Sequence, residues 1–193
     1  MITIELYTKA VSAINALHET DSNLDIVNGS EKPSELVYSQ RMLETLAGFS
    51  SNADFALQLA VQCEHIERWK IARNLFPMDK PGYFQWRKAV MEFQLSRTVE
   101  TLKTVGIDDA DSAEVTDILS KKGKEKNDKA QIVEDVACIV FVQWYLEAFA
   151  AKHDFEKVVD IVRKTVKKMS NEGLNAVQAK PLSDYVHKVL AAL

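Results

Sequence analysis

Apolar residues recur at helical spacing along most of this chain, and polar, turn-forming stretches separate the runs. Ile4, Leu6, Tyr7, Val11, Ile14 and Leu17 share one face of a 3.6-residue repeat, which predicts a first helix over residues 3–18. The segment 19–33, ETDSNLDIVNGSEKP, is polar and rich in turn residues and reads as a loop. Ser34 reads as the N-cap of a second helix ending near Gly48. The pattern then predicts a third helix from Asp54 to Asn74, a tight connection bounded by Pro77 and Pro81, and a fourth helix from Gly82 to Val105. A short fifth follows over Ser112–Lys122, and a sixth over Lys129–Lys152. The sixth is the most apolar and is predicted to be central. A seventh runs from Asp154 to Ser170, and a last helix follows Pro181. No alternating strand pattern, repeat or low-complexity segment stands out. The expected fold is an all-α bundle of seven to nine helices, a single domain over 1–193.

Composition narrows the class without changing that picture. The 193 residues are 47% apolar and 27% charged, as in ordinary globular proteins, and suffice to bury a core. A net charge of −4 argues against a general nucleic-acid binder, which normally carries a basic excess. The longest apolar run, Val136 to Val142, is far short of the roughly 20 residues that span a bilayer. The first residues carry Glu5 and no basic cluster, unlike a secretion signal. The only cysteines, Cys63 and Cys138, sit in apolar helical stretches, so no disulfide framework is expected. The expected compartment is the cytoplasm, with no membrane partner.

Candidate chemistry concentrates between Gln62 and Arg87. Two of the three tryptophans and one of the four histidines lie there, with Glu64, His65, Arg68, Trp69, Arg73, Tyr83, Trp86 and Arg87 around a proline-bounded turn. On a helical wheel, Ala56, Leu59, Ala60, Cys63, Ile66 and Ile71 define a buried arc with Glu64 in it or at its edge. A carboxylate placed so is expensive unless paired or bound to a cation. The plainer alternative is a Glu64–Arg68 pair at i,i+4, and His65 alone reads equally as a structural histidine. In the sixth helix, Glu134 and Asp135 precede an apolar run, so one of them must face protein; helix-dipole stabilisation is the plainer account. Lys121, Lys122, Lys124, Lys126 and Lys129 form either a solvated loop or an electropositive rim suited to an anion. Arg163, Lys164, Lys167 and Lys168 look like an ordinary wet face. Phosphate-loop, dinucleotide-binding, zinc-protease, C-x-x-C and nucleophile-elbow motifs are absent.

Four runs carry a resemblance: YSQRM (38–42), HIERWKIAR (65–73), FPMDKPGYFQWR (76–87) and VEDVACIVF (133–141). They are similar to an uncharacterised bacterial and fungal family catalogued as a domain of unknown function, over roughly residues 32–171. Some members carry a glutamyl-tRNA synthetase label, but no adenylate-binding signature occurs in this chain. A more distant resemblance is to the HD superfamily of metal-dependent phosphohydrolases. YSQRM resembles their first ligand helix with Tyr38 at the histidine position, EHIER resembles their His-Asp turn, and Gln94 stands where a histidine is common. EDVACIVF resembles the segment of the last aspartate, matched by Asp135. The resemblance implies an HD-like fold with an altered ligand set.

These readings combine into an expected degenerate HD-like protein that binds a small phosphorylated or otherwise anionic molecule without efficient turnover. Glu64, His65 and Asp135 are the candidate catalytic residues and, together, candidate ligands for Mg²⁺ or Mn²⁺. Arg68, Trp69, Arg73, Tyr83, Trp86, Arg87 and Lys122 are the candidate ligand-binding residues. The alternatives are a metal-dependent phosphohydrolase and a structural or interaction module.

Overall fold

The hydrophobic pattern of residues 128–150 dictates the architecture, because a helix apolar on every side has to be surrounded. In the computed structural model, which describes residues 1–193, helix α6 (Asp128–Val140) runs through a wider π turn (Phe141–Tyr145) into α7 (Leu146–Ala150). Val133, Val136 and Val140 of α6 enter one apolar core, while Ile139, Val142 and Leu146 enter a second. The first core is closed by α1 (Ile4–His18), α2 (Ser34–Phe49), α3 (Phe55–Gln62), α4 (Lys80–Thr104) and α5 (Asp109–Ser120). The second is closed by α8 (Phe155–Val166), α9 (Asn171–Gln178) and α10 (Asp184–Ala191). The molecule is an all-α bundle of ten helical segments, one more than the upper end of the range read from the pattern. No helix is long and apolar enough to cross a membrane.

Three local departures from the sequence pattern shape the functional region. Residues 19–33 contain a hairpin, β1 (Leu24–Val27) and β2 (Ser30–Pro33), joined by Asn28 and Gly29, both at positive φ. Asn-Gly suits the turn that matches strand twist, but the strands bury no apolar face, so no alternation announces them. Pro33, not Ser34, holds the cap position of α2 and makes no side-chain cap bond. Asp21 does that work from outside: its Oδ2 accepts from the Glu35 backbone N–H at 3.1 Å, while Ser34 Oγ donates to Asp25 at 2.9 Å.

The largest departure is α3. The pattern predicts helix to Asn74, but regular structure stops at Gln62 and the chain crosses residues 63–79 in turns and two short 3₁₀ segments. Side chains from elsewhere take the backbone groups that a helix would have used. His18 Nε2 pairs with the Gln62 carbonyl (3.1 Å), Gln94 Nε2 donates to that of Glu64 (2.8 Å), and Trp86 Nε1 donates to that of Ile71 (2.8 Å). Glu67 adopts a left-handed conformation (φ 46°), held by Lys70 and Arg97 on its buried carboxylate. Consequently α4 packs on α5 and α1 instead of lying antiparallel against α3.

Candidate functional site

An open cleft of about 350 Å³ lies where the start of α2, the 63–67 turn, the end of α5 and one stripe of α6 meet. Glu134, Ala137 and Cys138 of α6, with Phe141 and Tyr145 of the π turn that continues it, form one wall. Glu35 and Tyr38, one turn apart on α2, form the opposite wall with Glu64 and His65. Arg87 comes in from α4 and Lys168 from beyond α8.

The floor is an ion triad. Lys121 Nζ lies 2.6 Å from Glu64 Oε1 and 3.3 Å from Glu134 Oε2, and Lys168 approaches Glu134 at 3.7 Å. Lys121 reaches inward because it ends α5 in the left-handed conformation (φ 54°), which turns its side chain back under the helix. Burial works against its charge, but Glu64 and Glu134 outweigh that and hold its pKa above the usual lysine value. Burial also opposes the charge of Glu134, yet Lys121 and Lys168 keep its carboxyl below the ordinary glutamate range.

Above the triad, His65 stacks on Tyr38, with ring centroids 4.0 Å apart and planes 11° from parallel. Its Nδ1 lies 3.4 Å from Glu35 Oε2. Burial, then Arg68, push the imidazole well below its usual pKa, so His65 is neutral at pH 7. Burial raises the Glu35 carboxyl to about 7 against the opposing pull of His18 and Arg68. The pH consequence has a definite sign. Folding takes up a proton on Glu35 between the unfolded value of 4.5 and about 7, so its contribution to stability declines as pH rises through that window. Glu35→Gln is expected to match the parent at pH 4 and exceed it at pH 8 by on the order of 3 kcal/mol. Urea unfolding at the two pH values checks this, and equal stabilities at pH 8 would contradict a desolvated Glu35.

Several predicted residues lie elsewhere. Asp135 points away from the cleft and is buried against α9. It accepts from Ser170 N (2.8 Å), Ser170 Oγ (2.6 Å) and Gln131 Nε2 (3.1 Å), and Gly173 packs on it. Glu134, one position earlier, faces the cleft in its place. Lys122 is exposed, and Lys121 is the lysine that faces in. Arg73 holds the 73–79 connection together through the Phe76 and Asp79 carbonyls, with Tyr83 beside its guanidinium at 6.0 Å. Arg68 lies over the Trp86 ring at 4.8 Å, just behind the cleft; Trp69 is half-buried in the adjoining turn and does not line it. Glu64 pairs with Lys121, not with Arg68 as on a helix. Of the predicted set, Glu64, His65 and Arg87 line one cavity.

A divalent ion does not fit these residues as the resemblance implies. Glu64 is committed to Lys121, His65 Nδ1 faces Glu35, and Asp135 is spent on α9. No three histidine, cysteine, aspartate or glutamate side chains come together anywhere as a metal ligand set. Thiolate chemistry is disfavoured too, since burial pushes the Cys138 thiol up to about 12.

Glu35, Tyr145, Lys121 and Lys168 are site residues that sequence reasoning did not single out. Sequence reasoning gives Glu35 no role, takes Lys121 as one lysine of a run that is either a solvated loop or an electropositive rim, and reads Lys168 as part of a wet face. Only the Glu35–Tyr38 spacing of three residues, which reaches the first residue of the YSQRM run, hints at a shared wall.

The chain belongs to a family defined as a domain of unknown function (DUF4202), whose model matches residues 8–190. That match extends beyond the 32–171 core over which the four motif runs carry the resemblance. No curated protein and no solved structure matches the chain.

Proposed function

We propose that the cleft binds a small phosphorylated or otherwise anionic molecule and does not turn it over efficiently. The observation that carries this reading is Arg87. Its guanidinium lines the cleft beside Lys121 and Lys168 with no carboxylate at ion-pair distance, whereas Lys121 and Lys168 are partly neutralised by Glu64 and Glu134. A guanidinium offers a planar fork to phosphate or carboxylate oxygens, and the half-walled cleft strengthens each charge-assisted bond. The cleft volume of about 350 Å³ suits a molecule at the small end of the usual ligand range.

The finer, HD-like part of the reading draws support from layout. The YSQRM helix, the EHIER turn and the EDVACIVF helix border one cleft, as the ligand-bearing segments of that superfamily do. The ammonium of Lys121 lies between Glu64 and Glu134 and engages both carboxylates, which supports binding over metal-assisted hydrolysis. A structural or interaction module is the second reading, favoured by exposed Leu75, Met78 and Phe84 around the connection into α4.

Calorimetric titration with phenyl phosphate is the test. Arg87→Ala is expected to weaken binding about tenfold or more, with Tm within about 2 °C because the residue is exposed. Unchanged affinity in Arg87→Ala, or no binding to the parent protein, would reject the anion-binding reading. A hydrolysis screen with added Mn²⁺ or Mg²⁺ discriminates the enzyme alternative: turnover lost in His65→Ala would restore it.

A further inference from the structure

One wall of the cleft carries a polar pair that anion binding alone does not require. Glu35 Oε2 is closed to solvent and has no hydrogen-bond partner of good geometry; His65 Nδ1 lies 3.4 Å from it. The His65 ring is clamped flat on Tyr38, so it cannot swing to another partner without losing that stack. With Nδ1 turned to Glu35, Nε2 is the ring nitrogen left for the cleft, which Arg87 also lines. A carboxyl, an imidazole and an anion-accepting cavity therefore stand in line.

We infer, resting on the anion-binding reading above, that Glu35 and His65 form a proton pair that makes the cleft selective for dianions such as phosphate monoesters over monoanions. In the free protein the Glu35 O–H faces Nδ1 across 3.4 Å, which favours the tautomer carrying its hydrogen on Nε2. When a dianion is held against Nε2–H, the Glu35 O–H bond breaks and an Nδ1–H bond forms. His65 becomes an imidazolium facing the anion, and Glu35 becomes the carboxylate that balances it from behind. No proton enters or leaves, and no other reactant is needed. A doubly charged ligand gains more than a singly charged one from the new cation, because charge-assisted bonds grow with the charge on the acceptor.

The surroundings are arranged for both states. Burial, then Arg68 of the same turn, Lys121 at the end of α5 and Arg87 of α4, hold the free imidazole neutral, with Glu64 opposing them. Glu35 is faced by His18 of α1 and Arg68, which stabilise its anion, and by Asp21 and Asp25 near the hairpin, which oppose it. Tyr38 of α2 and Tyr145 flank the pair as phenols held above their ordinary pKa, chiefly by burial, and so stay neutral. Glu35 thus sits near its balance point at neutral pH, where a ligand charge can tip the pair.

The test uses the full chain with phenyl phosphate as the dianion and methyl phenyl phosphate as the matched monoanion, at pH 6.5, where Glu35 still holds its proton in most molecules and a phosphate monoester is already mainly the dianion. The parent is expected to prefer the dianion by about tenfold or more. Imidazole ¹⁵N shifts of His65, assigned by loss of its signals in His65→Asn, are expected to move from the neutral to the cationic pattern on adding phenyl phosphate. Glu35→Gln keeps a donor to Nδ1 but has no proton to give. It is expected to bind phenyl phosphate still, with the preference reduced to under about threefold and the imidazole neutral throughout. Phenyl phosphate binding with His65 remaining neutral in the parent would overturn the proton pair, even if the variant failed to fold. A tenfold preference surviving in folded Glu35→Gln would overturn it as well. Absence of any phenyl phosphate binding would instead reject the anion-binding reading and the proton pair with it.

Discussion

Replacing Lys121 with methionine is expected to destabilise the protein by about 3–5 kcal/mol, the range for removing one partner of a buried ion pair. The side chains of Lys121, Glu64 and Glu134 are only 15%, 12% and 14% exposed, so water cannot replace the lost ammonium. Glu64 Oε1 loses its 2.6 Å bond while its Oε2 is already buried without a partner. Two carboxylates are then left facing each other across the floor. For a chain of this size, such a loss lowers Tm by on the order of 10 °C. Adding Glu64→Gln to Lys121→Met is expected to recover a large part of it, because the second change removes the orphaned charge. Thermal unfolding of the parent, both single variants and the double variant forms a complete cycle. A Lys121→Met variant as stable as the parent would mean that the triad is solvated and not a floor.

Asp135→Ala is expected to cost about 3–4 kcal/mol and to leave anion binding by the folded fraction intact. Three donors converge on this carboxylate, and hydrogen bonds to a charged group contribute about 1.5–3 kcal/mol each before relaxation. Ser170 is the cap of α9: its Oγ donates to Asp135 and accepts from Gly173 N–H, so losing Asp135 loosens α9 as well as α6. Gly173 is committed to the same contact. A Cβ there would lie 2.6 Å from Asp135 Oδ1, so Gly173→Ala is expected to push the two helices apart. Urea unfolding measures the stability loss, and calorimetry with phenyl phosphate measures the function. Abolished binding in a folded Asp135→Ala protein would return Asp135 to the site.

Glu134 and Asp135 show how far a helical pattern can be read. Two acids entering an apolar helix announce that one must face protein, and both are in fact engaged, one with Lys121 and Lys168 and one with Ser170. Adjacent residues on a helix point about 100° apart, so one lines the cleft while the other caps its neighbour. Which does which depends on where α8 ends and α9 begins, and the intervening Lys167–Ser170 turn has no periodic signal.

The stretch from Glu64 to Arg73 was the richest in chemistry and the most misleading in geometry. Its apolar spacing continues the α3 pattern, and helix propensity raises no objection. Yet the chain leaves the helix at Cys63, because His18, Gln94 and Trp86, from 15 to 44 residues away, supply the partners that make the turn tolerable. Of this stretch, Glu64 and His65 line the cleft, which Arg87 reaches from α4. The helical wheel that motivated Glu64 does not apply to a residue in a turn.

Helix content and the central place of α6 follow from local pattern and composition, since burial of apolar faces is set by spacing along the chain. The inward turn of Lys121, the pairing of Glu35 with His65 and the diversion of Asp135 to α9 do not. Each depends on a backbone conformation or a partner that arises only once distant segments are packed, where burial gives a single charge or hydrogen bond enough weight to select the geometry.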